Sequence, residues 1–125
     1  MTDADPDAPQ RWLEQIVVDE RHRTVSVPVD TIDWLQADGK YVVLHVRGEK
    51  HYVRGALSTF EQRLSPSRFA RLHAAAIVNL DRIAEMRPTG GGDFTIVLQS
   101  GDTVALGRRY RARLPDLFGR LRSRS

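Results

Sequence analysis

The chain has no cysteine, which excludes disulfides and thiolate-bound metal centres. Lysine is almost absent: of 19 basic residues only Lys40 and Lys50 are lysines, and the other 17 are arginines. No apolar run approaches the roughly 20 residues that a membrane-spanning helix needs. The first ten residues carry acids only (Asp3, Asp5 and Asp7) among prolines, the reverse of a secretion signal. Catalytic signatures are missing as well. The four histidines (His22, His45, His51 and His73) lack metal-ligand spacing, and no Gly-x-Ser-x-Gly elbow occurs. Gly90-Gly91-Gly92-Asp93 lacks the Lys-Ser/Thr of a phosphate loop and joins two strand-like runs instead of opening a helix. His45 and His51 could approach each other across a hairpin, but with no acid pair beside them an exposed strand face is the preferred reading. These absences lead to the expectation of a cytoplasmic, non-enzymatic protein with no cofactor, no metal and no membrane partner.

What is present fits one folded domain. The chain has 125 residues, 41% apolar and 28% charged, enough for a single modest core and too apolar for disorder. The formal charge of +3 is unevenly spread. From Gly101 to Ser125 seven arginines face only Asp102 and Asp116. A basic C-terminal end on a nearly balanced body suggests a polyanionic partner. An arginine-rich solvated surface is the alternative, and charge alone leaves both open.

Short β-type segments recur along the chain with turn signals between them. "LEQIVV" (13 to 18) and "TVSVPV" (24 to 29) flank a charged turn. "TIDWLQA" (31 to 37) passes through Asp38-Gly39, a strong hairpin signal, into "KYVVLHV" (40 to 46), and "HYVR" (51 to 54) follows. Alternation of Val43, His45 and Arg47 with Val42, Leu44 and Val46 suits a sheet with one wet face. Leu57, Phe60 and Leu64 fall at helical spacing, and Ser58 with Glu61 has the spacing of a capping box. "RIAEMRPT" (82 to 89) and "DFTIVLQS" (93 to 100) read as strands joined by the glycine triplet, with "GDTVAL" (101 to 106) as a further one. The last segment could start as a helix at Arg108 and bend or break near Pro115. Residues 1–12 read as a flexible leader or linker remnant, 13–121 as the domain and 122–125 as a basic tail.

Four separated motifs, in order, resemble a known family. They are "IDWLQADGKYVVLHV", "YVRGALSTFEQRL", "RFARLHAAAIVNLDRIAEM" and "VLQSGDTVALGRRYRARL". Together they are similar to the LytTR-type DNA-binding domain of bacterial transcription regulators, over about residues 13 to 121. The most diagnostic parts are Phe69-x-x-Leu72-His73 followed by Ile77-Val78-Asn79-Leu80, and Gly107-Arg108-Arg109-Tyr110-Arg111 after Gly101. The resemblance implies a mostly β fold of about ten short strands in three small antiparallel sheets, an elongated sandwich with one or two short helices. It implies sequence-specific binding of double-stranded DNA by loops that enter successive major grooves, without a recognition helix. It also implies, as partners, a second domain on an adjacent half-site and an upstream receiver or sensor where the chain is a fragment.

Three segments carry the residues that the resemblance assigns to DNA. His73 matches a family histidine, whereas Ala74 and Ala75 replace a polar pair, so that Ala74 keeps only a methyl for a thymine methyl. His73 either meets DNA or braces its own turn. Arg108 aligns with the arginine that enters the major groove, where a guanidinium can bond guanine O6 and N7 together. Arg109 and Arg111 are expected on phosphates. Gly107 stands where the family often has serine. Lys40 could reach a phosphate, and Tyr41 either packs inward, the favoured reading, or stacks near sugar. Tyr110 is expected in the core, and Asn79 is expected to tie down backbone. The lost polar positions leave a second function open, a protein-interaction module or antagonist of a full-length regulator built on the same scaffold.

Overall fold

A computed structural model describes residues 11–123. Ten strands run in chain order: β1 Gln15–Glu20, β2 Arg23–Pro28, β3 Trp34–Asp38, β4 Tyr41–Val46, β5 Glu49–Arg54, β6 Phe69–His73, β7 Ala76–Asn79, β8 Ile83–Gly90, β9 Asp93–Leu98 and β10 Thr103–Ala105. Two helices, α1 (Leu57–Arg63) and α2 (Leu114–Ser123), and three short 3-10 turns complete it. The strands form three antiparallel sheets with orders β1-β2, β5-β4-β3-β7-β6 and β10-β9-β8. The expected fold class is the observed one.

The five-stranded sheet is the middle layer, and its two faces feed two cores. Leu35, Val42, Leu44 and Ile77 join Ile16, Val18 and Val27 of the β1-β2 ribbon and Leu57, Leu64 and Phe69. Ala70, Ala76 and Val78 face the other way, against Ile83, Ile96, Leu98, Val104 and Leu117. This layering explains the small residues of β6 and β7. Each of Ala76, Ile77, Val78 and Asn79 is buried, and alanines at 70 and 76 let the third sheet approach. Asn79 ties down backbone as expected: its Nδ2 donates to the Ile32 carbonyl (2.8 Å) and its Oδ1 accepts from the Asp81 amide (3.0 Å).

A covered middle layer also overturns three local expectations. The wet face expected for β4 is dry, because Val43 and His45 are buried along with Val42 and Leu44. The exposed strand face expected of His45 and His51 is wrong, because both are buried; they do not meet, since Leu44, not His45, is the partner of His51, and the two rings leave opposite faces of the sheet. His45 stacks on Trp34 with ring centroids 4.1 Å apart, and its Nε2–H donates to Gln36 Oε1 (2.9 Å). His51 Nδ1 lies 2.6 Å from Glu20 Oε2, pinning the β1-β2 ribbon to the middle sheet. The third correction is at α1. Its N-cap is Ala56, with no side-chain cap, so Ser58 lies within the first turn and Glu61 pairs with Arg71 instead.

The hairpin signals hold. Gly39 supplies the positive φ of +59° at the β3-β4 turn, and Gly90, Gly91 and Gly92 (+103°, +62°, +84°) form the β8-β9 tip. At the C-terminal end, Arg108–Arg113 is a 3-10 turn, and α2 starts at Leu114 with Pro115 in its first turn, where a missing N–H costs nothing. Arg122 and Ser123, counted with the basic tail in the sequence, are the last residues of α2. Residues 1–10 of the expected leader, and 124–125, lie outside the described residues.

Candidate nucleic-acid interface

One end of the middle sheet gathers the three segments singled out in the sequence. There Arg54 of β5 sits opposite Tyr41 of β4, Tyr41 opposite Asp38 of β3, and β3 pairs with β7 from Gln36 and Ala76. His73 of β6 is opposite Ala76. The Ala37 amide donates to the Ala75 carbonyl (2.9 Å), tying the β6-β7 turn to the β3-β4 turn. Beyond β6 the Gly107 amide donates to the Leu72 carbonyl (2.8 Å), which seats the arginine segment beside His73. Strand spacing of about 4.8 Å over five intervals gives a rim about 24 Å long, from Arg54 to Gly107.

The β6-β7 turn is braced by a side chain that no sequence motif marks. Arg71 is mostly buried: its Nε donates to the His73 carbonyl (3.1 Å), its Nη2 to the Ala74 carbonyl (2.6 Å) and its Nη1 to Glu61 (2.7 Å). A register shift between Arg71 and His73 lets the chain curl there. His73 Nδ1 accepts from the Ala75 amide at 3.0 Å, so the neutral ring carries its proton on Nε2. The ring therefore braces its turn with one nitrogen and leaves a donor on the other. The exposed methyl of Ala74 forms the tip.

Gly107 has a packing reason. A Cβ there would come within 3.1 Å of the Tyr110 ring and 3.5 Å of the His73 Cα. Tyr110 folds back on this turn and packs against the second core, as expected of it. Arg108 projects outward, its side chain 77% exposed, with Nη2 3.6 Å from Asp93 Oδ2. Arg109 is exposed and has no hydrogen bond or ion pair among the described residues. Arg111 turns back: its Nη2 donates to Asp93 Oδ1 (2.7 Å), and the guanidinium lies over Gly92. The bonded Arg111, with Arg108 nearby, holds the Asp93 carboxyl below its usual range.

At the other end of the rim Lys40 and Arg54 are exposed, and their side chains have no partner among the described residues. Tyr41 is exposed, not packed inward, and meets Tyr52 edge-on with centroids 6.5 Å apart. The inward reading of Tyr41 is thus corrected. The outer face of β4 has no third sheet above it at this edge, so the ring stays in solvent. Asp38 is the one acid in the β3-β4 turn. Arg54 went unnoticed in the sequence because only strand pairing brings it beside Lys40.

Fold and rim together define a small β-built domain whose free cations are mounted on connecting segments at one end of a rigid sheet. The chain belongs to the LytTr DNA-binding domain family, whose profile matches residues 22–119. It is similar to the CO-responsive transcriptional regulator RcoM of Rhodospirillum rubrum, 30% identical over 112 residues, 89% of this chain and 48% of that protein. It is also similar to the transcriptional regulatory protein YpdB of Escherichia coli K12, 29% identical over 87 residues, 70% of this chain and 35% of that protein. The chain thus spans half or less of the curated relatives it matches. Its fold is that of the LytTr DNA-binding domain of a putative methyl-accepting/DNA response regulator from Bacillus cereus, with a TM-score of 0.77, 21% identity, and coverage of 86% of this chain and 98% of that one. None of the helices among the described residues is long and apolar enough to cross a membrane.

Proposed function

We propose that this domain binds double-stranded DNA sequence-specifically, as the DNA-reading part of a bacterial transcription regulator. The observation that carries the reading is the bond from Gly107 to Leu72, which sets Arg108 and His73 side by side on one rim. A rim of about 24 Å is about two-thirds of the roughly 34 Å helical repeat of the duplex. It is long enough to lie across one minor groove with its ends in the flanking major grooves.

In this reading Arg108 enters a major groove and bonds a guanine, which can contribute about 1–3 kcal/mol of discrimination. Arg109 and Lys40 take phosphates and supply affinity without sequence preference. The Nε2–H of His73 donates to a phosphate or a base acceptor, and the Ala74 methyl meets a thymine methyl. Tyr41, exposed beside Lys40, lies against the sugar edge. Two such domains on adjacent half-sites, each behind a receiver or sensor, complete the regulator. Cytoplasmic placement follows from that role.

The test is selection of genomic DNA fragments by the purified domain, followed by sequencing of what is retained. A recurrent motif, with retention falling steeply as salt rises, is the expected result. Retention without any motif would count against sequence-specific reading and would favour the protein-interaction alternative.

A further inference from the structure

Asp93 follows directly on the glycine triplet, at the base of the β8-β9 tip. It is half-buried and sits where two of the three arginines of the Gly107–Arg111 segment converge. Arg111 makes the close contact, with Nη2 at 2.7 Å from Oδ1 and a second, longer approach to the Gly91 carbonyl at 3.5 Å. Arg108 makes a loose one at 3.6 Å through the other carboxylate oxygen. Arg109 makes none among the described residues. A carboxylate oxygen resembles a phosphate oxygen in charge and acceptor geometry, so Asp93 already occupies the donors that a DNA backbone would seek. The three arginines are therefore unequal: one bound, one tethered, one free.

We propose that Asp93 is a positioning residue of the DNA-reading rim, whose carboxylate withholds Arg111 from phosphate and so lowers the non-specific affinity of the arginine segment. This rests on the DNA-binding reading above and replaces the phosphate contact expected of Arg111. Arg111 becomes a strut between the β8-β9 tip and the 3-10 turn. Arg108, held only loosely, can leave Asp93 for a guanine at small cost. Selectivity then gains twice: fewer arginines contribute sequence-independent affinity, and the one that reads a base starts from a fixed seat.

The experiment is a salt titration of binding to a 30-bp duplex of random sequence, comparing wild type, Asp93→Asn, Arg111→Ala and the double variant. Each phosphate contact adds about 0.9 to the slope of log affinity against log salt. Asp93→Asn should steepen the slope by about that amount, so that from 50 to 200 mM salt it loses about 3.5-fold more affinity than wild type. The double variant should return to the wild-type slope, because the added contact is that of Arg111. Asp19→Asn, in the β1-β2 ribbon, removes the same charge elsewhere and should leave the slope unchanged. A wild-type slope for Asp93→Asn, or a double variant as steep as the single one, would overturn the proposal while leaving DNA binding intact. Absence of salt-dependent binding to any duplex by all five proteins would instead overturn the DNA reading, and this proposal with it.

Discussion

Replacing Arg71 by alanine separates a brace from a contact. The guanidinium makes two bonds to carbonyls of the turn that carries His73 and Ala74, and one to Glu61, itself well exposed. Bonds from a charged donor are each worth about 1.5–3 kcal/mol when the acceptors stay dry. Here the acceptors belong to half-buried and exposed residues and can be rehydrated. The exposed Glu61 pair adds little. Arg71→Ala should therefore cost about 1–3 kcal/mol in all. For a domain of this size that lowers the melting midpoint by about 4–12 °C. The loosened turn must then be ordered on binding, at about 1–2 kcal/mol per residue. With Ala74 as the freed residue, DNA affinity should fall about 5- to 30-fold. Calorimetry and fluorescence anisotropy in a salt series would measure both effects. The salt slope should stay at the wild-type value, since Arg71 touches no phosphate, whereas Arg109→Ala should reduce it by about 0.9. Arg71→Lys should behave like Arg71→Ala, because an ammonium cannot span three acceptors. A lysine variant equal to wild type, or a slope reduced as for Arg109→Ala, would refute the brace.

Burial lowers the pKa of His45 below its ordinary 6.5, outweighing nearby Asp102 and Asp33. The folded state thus binds the proton less readily than the unfolded chain, so this part of the stability is complete above about pH 6.5 and is lost as the pH falls below it. Urea midpoints measured between about pH 7 and pH 5 should fall, and should fall less in His45→Gln. Ile77, 1% exposed on the interior strand β7, should cost about 2–5 kcal/mol when changed to alanine, read as a lower urea midpoint at unchanged slope.

Much of the fold was legible because its punctuation is local. Asp38-Gly39 and the glycine triplet fix two hairpins through backbone conformations that other residues adopt poorly. The alternating runs between them then fall into strands. What escaped depends on the third layer. Nothing adjacent in sequence tells His45 that Trp34 covers it, or His51 that Glu20 does. The Ser58–Glu61 spacing looked like a cap only while Arg71, ten residues on from Glu61, was out of view. At the rim the motif residues were visible but not their inequality. Arg109 and Arg111 read alike in sequence, both as phosphate contacts, and a carboxylate arriving from the β8-β9 tip distinguishes them by binding Arg111.

The proposed function turns on base reading by Arg108. The most direct measurement is the affinity of the domain for a selected duplex and for the same duplex scrambled, in wild type and in Arg108→Ala. The variant should lose about 5- to 150-fold on the selected duplex and far less on the scrambled one. Equal losses on both would show that Arg108 contributes charge alone, and would contradict it.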